Sequence, residues 1–292
     1  MTVADATSST TPAALVTTDW ARDHLEDDRV RFLEVDVDTD AYDTGHLPGA
    51  TGVNWKSQLT DAVRRDLVSR EELQALLREA GVNDDTTIVL YGDNNNWFAA
   101  WAYWQLQYQG LDNVRLLDGG RVKVEADGLP LTTDAPSHAS GTITLPTRTR
   151  EELRAYRQQV IDGIGSAERS LVDVRSPEEF RGELSAPAHL PQEAAQRRGH
   201  IPGAVNVPWS QAVAPDGTFK PIEELRELYG ARGIDGTGEI VAYCRIGERS
   251  SHTWFVLHEL LGYADVRNYD GSWTEYGSLV GVPIETGDGP TS

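Results

Sequence analysis

EIVAYCRIGERSSHTWFVLHELLG, residues 239–262, carries three consecutive signals that decide the fold. Residues 239–243 form a short, continuous apolar run, as expected of a strand buried on both faces of a parallel sheet. Residues 250–262 read as a helix, with Ser250 or Ser251 placed to cap it and Gly262 to end it. Between them lies CRIGER, residues 244–249, which holds the only cysteine of the 292-residue chain, two arginines and a glycine. A strand that turns straight into a helix belongs to a sheet with helices packed on it. In such sheets ligands bind beyond the carboxyl ends of the strands, and Cys244 sits at one of those ends.

The same pattern occurs earlier in the chain. TTIVLYGD at 86–93 matches GEIVAYCR at 238–245, GHLPGATGVNW at 45–55 matches GHIPGAVNVPW at 199–209, and VRLLDGG at 114–120 matches VRNYDGS at 266–272. Tyr91 to Asp118 spans 27 residues, as does Tyr243 to Asp270. The offset is too long for a solenoid repeat and has the size of a domain. The chain therefore reads as a duplicated domain. RFLEVDV (31–37) and SLVDV (170–174) read as further strands. SREELQALLREAG (69–81) reads as a helix with a Ser69–Glu72 capping box and a closing Gly81, and PIEELRELYGARG (221–233) as its counterpart, with Pro221 in the first turn. Further helices are expected at 98–109 and 250–261. Alternating strands and helices predict an α/β fold of two tandem domains, each a parallel sheet with helices on both faces.

The expected division is a disordered leader at 1–14, a first domain at 15–133, a linker at 134–147, a second domain at 148–287 and a tail at 288–292. The linker region is rich in Ser, Thr, Pro and Gly. Aligning Asp36 with Asp173 leaves 10 residues to His46 in the first half and 27 to His200 in the second. On that alignment the second half carries about 17 extra residues, mostly the polar stretch at 182–198.

Composition narrows the function. One cysteine excludes an intrachain disulfide, a CxxC pair and a multi-cysteine zinc site. No stretch approaches the roughly 18 apolar residues of a membrane helix, and the N-terminus has no basic start or signal-length apolar core. The expected location is the cytoplasm. The net charge of -20 argues against nucleic acid or an anionic membrane as partner. An anionic substrate would need a local basic pocket, and CRIGER is the place for one. The glycine clusters at 118–120 and 287–290 lack the strand–loop–helix context of a nucleotide site. No cofactor and no metal is called for.

The loop's chemistry follows from its position. A strand-to-helix turn directs backbone N–H groups inward and adds the positive end of the helix dipole. Gly247 permits the turn. A thiol at the mouth of such a cradle, with Arg245 and Arg249 beside it, is expected to ionise more readily and act as a nucleophile without a histidine base. His252 lies two residues into the helix, with no reason in helical spacing to face Cys244, and a packing role is expected. His46 and His200 occur in both halves, as do Asp36 and Asp173. These residues, and Arg175, are expected to be structural. In the first half Gly92 stands where Cys244 stands in the second, Asp93 follows, and the loop has no arginine. That half is expected to close over the other and shape the site from outside.

Taken together, GHIPGAVNVPW, CRIGERSS and VRNYDGSWTEYG, within a duplication whose first copy lacks the cysteine, resemble the two-domain rhodaneses of the actinobacterial type. The resemblance runs from about residue 15 to 287. It implies a thiosulfate sulfurtransferase. Cys244 would take the outer sulfur of thiosulfate as a persulfide and pass it to a thiophilic acceptor such as cyanide or a thiol, a protein acceptor included. Arg249 would bind substrate, Arg245 would hold its sulfonate end, and the amides of 245–249 would stabilise the transferring charge. Glu248 is awkward for a dianionic donor, and it is expected to point outward or to pair with Arg245.

Other readings stay open on the residues. Relatives that use 3-mercaptopyruvate carry a small uncharged loop, whereas this chain has arginine and isoleucine there. Cysteine phosphatases and arsenate reductases resemble Cys-x5-Arg, and the spacing here is Cys-x4-Arg. A non-catalytic sulfur-relay or binding module would leave the chemistry to a partner.

Overall fold

The computed structural model describes residues 14–186 and 195–288. The expected leader and tail lie outside these residues except at positions 14 and 288, and so do residues 187–194 of the expected insertion.

The first half contains β1 (Leu15–Val16), α1 (Thr18–Asp23), β2 (Val30–Glu34), β3 (Thr51–Gly52), α2 (Trp55–Gln58), α3 (Arg70–Glu79), β4 (Thr87–Tyr91), α4 (Asp93–Tyr108), β5 (Val114–Leu117) and α5 (Gly120–Ala126). The second contains α6 (Arg157–Asp162), β6 (Arg169–Asp173), α7 (Pro177–Arg181), β7 (Val205–Asn206), α8 (Ile222–Gly230), β8 (Glu239–Tyr243), α9 (Glu248–Phe255), β9 (Val266–Tyr269) and α10 (Ser272–Tyr276). The sheets run β1-β5-β4-β2-β3 and β7-β6-β8-β9, with every pairing parallel. β4 and β8 are interior strands. Their apolar runs are buried on both faces, so the loops that follow them open at the sheet's carboxyl edge.

Local sequence explains most elements. Ser69 and Glu72 form the predicted reciprocal cap on α3, and Gly81 takes a left-handed φ of 74° just past its end. Ser176 and Glu179 cap α7 in the same way. α9 departs from the reading. It starts at Glu248 with Gly247 as its N-cap, because Gly247 at φ 101° makes the turn. Ser250 and Ser251 therefore lie inside the helix, and the Ser251 hydroxyl donates back to the Gly247 carbonyl at 2.8 Å. α9 continues as a π turn over Val256–Leu260, and Gly262 at φ 72° follows its end.

Register corrects the alignment of the halves. The Tyr91 hydroxyl donates to Glu34 on β2 and accepts from Leu47 N, while the Tyr243 hydroxyl accepts from Ile201 N, with Asp173 paired to Tyr243 across the sheet. Glu34, not Asp36, is thus the counterpart of Asp173. Glu34 to His46 spans 12 residues and Asp173 to His200 spans 27, so the insertion is 15 residues.

The halves share a core built on α4 and α9. Tyr103 packs edge-on against Phe255 at 4.9 Å and tilts against Trp254 at 6.4 Å. The Trp104 indole N–H donates to Leu153 O across the junction at 3.0 Å. Truncating one such buried aromatic costs about 3–5 kcal/mol. The chain between the halves lies along the first: Gly141 N donates to Arg78 O at 2.7 Å and Ile143 N to Val82 O at 3.1 Å. Among the described residues no helix is long and apolar enough to cross a membrane.

Candidate active site

Cys244 occupies the residue after β8 and has no exposed surface. Its own N–H donates to the Ser272 hydroxyl oxygen at 3.0 Å, and Gly247 N–H donates to its sulfur at 3.2 Å. The start of α10 ties down the loop's carbonyls: Trp273 N donates to Cys244 O at 3.1 Å and Thr274 N to Arg245 O at 3.0 Å. These bonds fix the loop's backbone, with the Gly247 N–H directed at the sulfur.

The charge around the sulfur differs from the expected basic cradle. The Cys244 thiol donates to Glu248 Oε2 at 3.3 Å, so Glu248 points inward at the nucleophile rather than outward. Arg249 is held two-pronged by Glu179 on α7, Nη1 to Oε2 at 2.9 Å and Nη2 to Oε1 at 3.2 Å. Its Nε faces Glu248 Oε1 at 3.7 Å and makes no hydrogen bond. Arg245 is buried beside these groups. Two carboxylates therefore accompany the two arginines. Burial pushes the Cys244 thiol up and the Glu248 carboxylate adds to that; Arg249 and the Ser250 amide and hydroxyl oppose them without reversing the sign. The expectation of a depressed thiol pKa is overturned, because sequence shows the arginines but not the burial or the direction of Glu248. Burial lowers the Arg245 pKa, and repulsion from Arg249 works in the same direction while Glu248 opposes it.

Glu179 was not among the residues singled out from sequence. Burial pushes its carboxyl up, but Arg249 and Arg175 outweigh this and hold it below the usual range. The signal was present in SPEEF as a capping box at 176–179; what sequence does not show is that the capping glutamate also meets an arginine 70 positions away.

A second layer fixes the turn. Adding a Cβ to Gly247 would bring it 2.7 Å from Asp270 Cα, so the loop and the β9–α10 turn touch backbone to backbone. Arg154 binds Asp270 through Nε at 2.9 Å and Nη2 at 2.8 Å, and Nη2 also reaches Asp66 of the first half at 2.7 Å. Asn268 donates to Gly247 O at 3.1 Å and accepts from Ser250 at 2.6 Å.

The first half reaches the site directly. Trp97 lies 6.0 Å from the Arg249 guanidinium and packs on Trp209 at 5.0 Å. Its own loop is built for another purpose. A Cβ on Gly92 would stand 2.1 Å from Val35 O, leaving no room for a cysteine. Asn94, Asn95 and Asn96 all take left-handed φ of 44°, 58° and 64°, and the Asp93 carboxylate accepts from Val37 N and Asp38 N.

The histidines stand apart from the sulfur. His252 is buried against the Trp209 and Phe219 rings at 5.2 and 4.7 Å, and burial pushes its pKa down to about 3. His46 and His200 stack on Tyr42 and Phe180 at 3.8 and 3.6 Å and brace their turns through backbone carbonyls. Asp173 and Arg175 form a buried ion pair, with Arg175 also donating to Gly199 O at 2.7 Å. An open groove lined by Arg169, Glu239 and Arg267 lies at the amino ends of β6, β8 and β9, the far end of the sheet from Cys244.

A duplicated parallel α/β unit, with a thiol in the strand-to-helix loop of one copy and none in the other, defines a tandem-domain protein built around a single cysteine loop. The Rhodanese-like domain family matches residues 17–127 and 156–279, and the chain belongs to the rhodanese family. It is 59% identical over 271 residues to the "Putative thiosulfate sulfurtransferase" of Saccharopolyspora erythraea, covering 93% of this chain and 95% of that one. It is 55% identical over 280 residues to the "Sulfur carrier protein TtuD" of Thermus thermophilus, covering 95% and 98%. A solved structure of an EanB variant in cysteine-persulfide form with ergothioneine matches at a TM-score of 0.80 and 27% identity, over 94% of this chain and 70% of that one.

Proposed function

We propose that the chain is a thiosulfate sulfurtransferase in which Cys244 carries the sulfur. The observation that supports this most is the Gly247 N–H donating to the Cys244 sulfur at 3.2 Å at the carboxyl edge of an interior strand, with Arg249 beside it. The Cys244 thiolate attacks the outer sulfur of thiosulfate, the S–S bond of the donor breaks, and sulfite leaves with the electron pair. The persulfide then gives its terminal sulfur to a thiophilic acceptor such as cyanide or a thiol, and the electron pair returns to Cys244. Arg249 binds the donor through the Nε–H that makes no hydrogen bond, and Arg245 holds the sulfonate end. The working unit is the second domain, 148–287, with the first, 15–133, joined by 134–147 and walling the site through Trp97. The relatives named as thiosulfate sulfurtransferases support this donor, and the 55% identity to a protein named as a sulfur carrier favours a protein acceptor in addition to small thiols.

An intact-mass measurement tests the reading. Incubation with thiosulfate should add about 32 Da, one sulfur atom, consistent with covalent catalysis. Cyanide should remove it, and Cys244→Ser should never acquire it. No gain with thiosulfate but a gain with 3-mercaptopyruvate would move the donor assignment. Hydrolysis of para-nitrophenyl phosphate would favour the phosphatase reading instead.

A further inference from the structure

We propose that Glu248 is a catalytic residue that takes the Cys244 proton as the sulfur donor is attacked and returns it once the sulfur has left. The inference rests on the sulfurtransferase reading and deepens it. The thiol is buried and points its proton at Glu248 Oε2, 3.3 Å away. A buried thiol hydrogen-bonded to a carboxylate is a poor nucleophile until the proton moves, and the carboxylate already holds the other end of that proton's path. The same transfer removes a second obstacle. The Glu248 carboxylate stands 3.3 Å from the sulfur that a dianionic donor must reach. Once protonated it repels the donor no longer, while the new negative charge sits on the sulfur that attacks.

Other charged groups around this pair do not offer a rival route. Arg249 on the same helix presents Nε to Glu248 Oε1 at 3.7 Å and is itself held by Glu179 of α7. Arg245 acts on Glu248 from the loop. Beyond Gly247, Asp270 is engaged by Arg154. His252, on α9, packs against Trp209 and Phe219.

The balance is complete. Thiol, carboxylate and thiosulfate become persulfide anion, carboxylic acid and sulfite. The S–H and donor S–S bonds break, and the O–H and the new S–S bond form. Thiosulfate supplies the sulfane sulfur and sulfite carries off the electron pair, so no other oxidant is required. With cyanide as acceptor, the Cys244 thiolate is regenerated with thiocyanate and recovers its proton from Glu248.

The test is the persulfide-forming half-reaction, followed by rapid quench and intact mass across pH 5.5–9 in the full-length protein. Glu248→Gln keeps the side chain's shape and removes the base. It should slow sulfur uptake at pH 7 about 100-fold, within the usual range for a general base. Its rate should climb roughly tenfold per pH unit, since the proton must now leave to hydroxide, while wild type stays level. A Glu248→Gln protein that reacts as fast as wild type, or faster with an easier thiol ionisation, overturns the proposal and makes the carboxylate an electrostatic brake. Alkylation of wild-type Cys244 by iodoacetamide supplies a readout that needs neither the variant nor thiosulfate. A carboxylate that takes the thiol's proton holds the alkylation rate level across pH 5.5–9, and a rise of about tenfold per pH unit overturns the proposal. Absence of sulfur uptake by wild type with a level alkylation profile would sink the donor assignment and leave Glu248's role standing.

Discussion

Glu179 holds both terminal nitrogens of Arg249, at 2.9 and 3.2 Å, with neither side chain open to solvent. This clasp occupies the two terminal nitrogens and leaves Nε facing Glu248 Oε1 at 3.7 Å. Glu179→Gln should cost about 3 kcal/mol, because breaking a buried pair leaves an uncompensated charge. It should also ease Cys244 ionisation, since a negative charge leaves the neighbourhood. Glu179 is held below the ordinary carboxylate range, so the stability it contributes is present above that range and is lost as pH falls through its folded value. Urea midpoints at pH 4 and 7, with thiol alkylation at each, check both effects. A midpoint at pH 7 that does not move would show that the pair contributes nothing to the fold.

Ser272 is the second lever on the loop. It is a non-glycine residue at φ 53°, and its counterpart in the first half is Gly120 at φ 54°. The hydroxyl justifies the strain: it accepts from Cys244 N at 3.0 Å and donates to Tyr269 O at 2.7 Å. Ser272→Gly should leave stability within about 1 kcal/mol, the conformational relief offsetting the lost hydrogen bonds. Ser272→Ala keeps the strain without the bonds and should cost about 2 kcal/mol. Both should slow sulfur transfer, because the Cys244 amide loses its anchor. Thermal melts and single-turnover rates on the pair separate strain from positioning. Full activity in both variants would deny Ser272 a positioning role.

Much of this architecture is legible in the chain. The apolar runs ending at Tyr91 and Tyr243, the Ser69–Glu72 cap and the equal spacing of the repeats each follow from local rules. The cysteine's place at a strand end follows from them too. What is missing depends on distance or direction. In sequence Asp36 aligns with Asp173, each within a V-D-V triplet, whereas the sheet pairs strands through Tyr91 and Tyr243 and puts Glu34 there. Glu179 reads as a helix cap because its partner is 70 residues away. The sign of the thiol's shift is not legible in sequence, where two arginines are visible, while burial and the inward turn of Glu248 are products of the fold.

The first half holds its own acid cluster, and it sets a pH dependence. Asp36 is pushed up to about 8 by burial and by Glu34 and Asp93 beside it. The folded state therefore keeps a proton that the unfolded chain releases near pH 4. Stability should fall as pH rises from about 4 toward 8 through this group. Asp36→Asn is neutral throughout, retains an oxygen for the Asp93 N–H bond of 2.7 Å, and should gain up to about 5 kcal/mol over wild type at pH 8. Below pH 4 the gain should vanish. Urea titrations at pH 4 and 8 decide it, and an equal effect at both would mean the carboxyl does not titrate in this window.

His252 gives the opposite slope. Its pKa is pushed down to about 3 by burial alone, so the unfolded chain binds a proton near pH 6.5 that the folded state refuses. Stability contributed by keeping this ring neutral is full above pH 6.5 and declines as pH falls toward 3. His252→Phe should flatten that decline, at a packing cost of about 1–3 kcal/mol from the larger ring between Trp209 and Phe219. Sulfur uptake by Cys244 should stay within about twofold of wild type, because a ring whose pKa is pushed down to about 3 does not take the thiol's proton. A changed pH–rate profile, or a collapse of activity in a folded His252→Phe protein, would restore the Cys–His arrangement that the loop geometry argues against. The comparison with Glu248→Gln is then direct: one substitution should move the rate and its pH profile, and the other should move only acid stability.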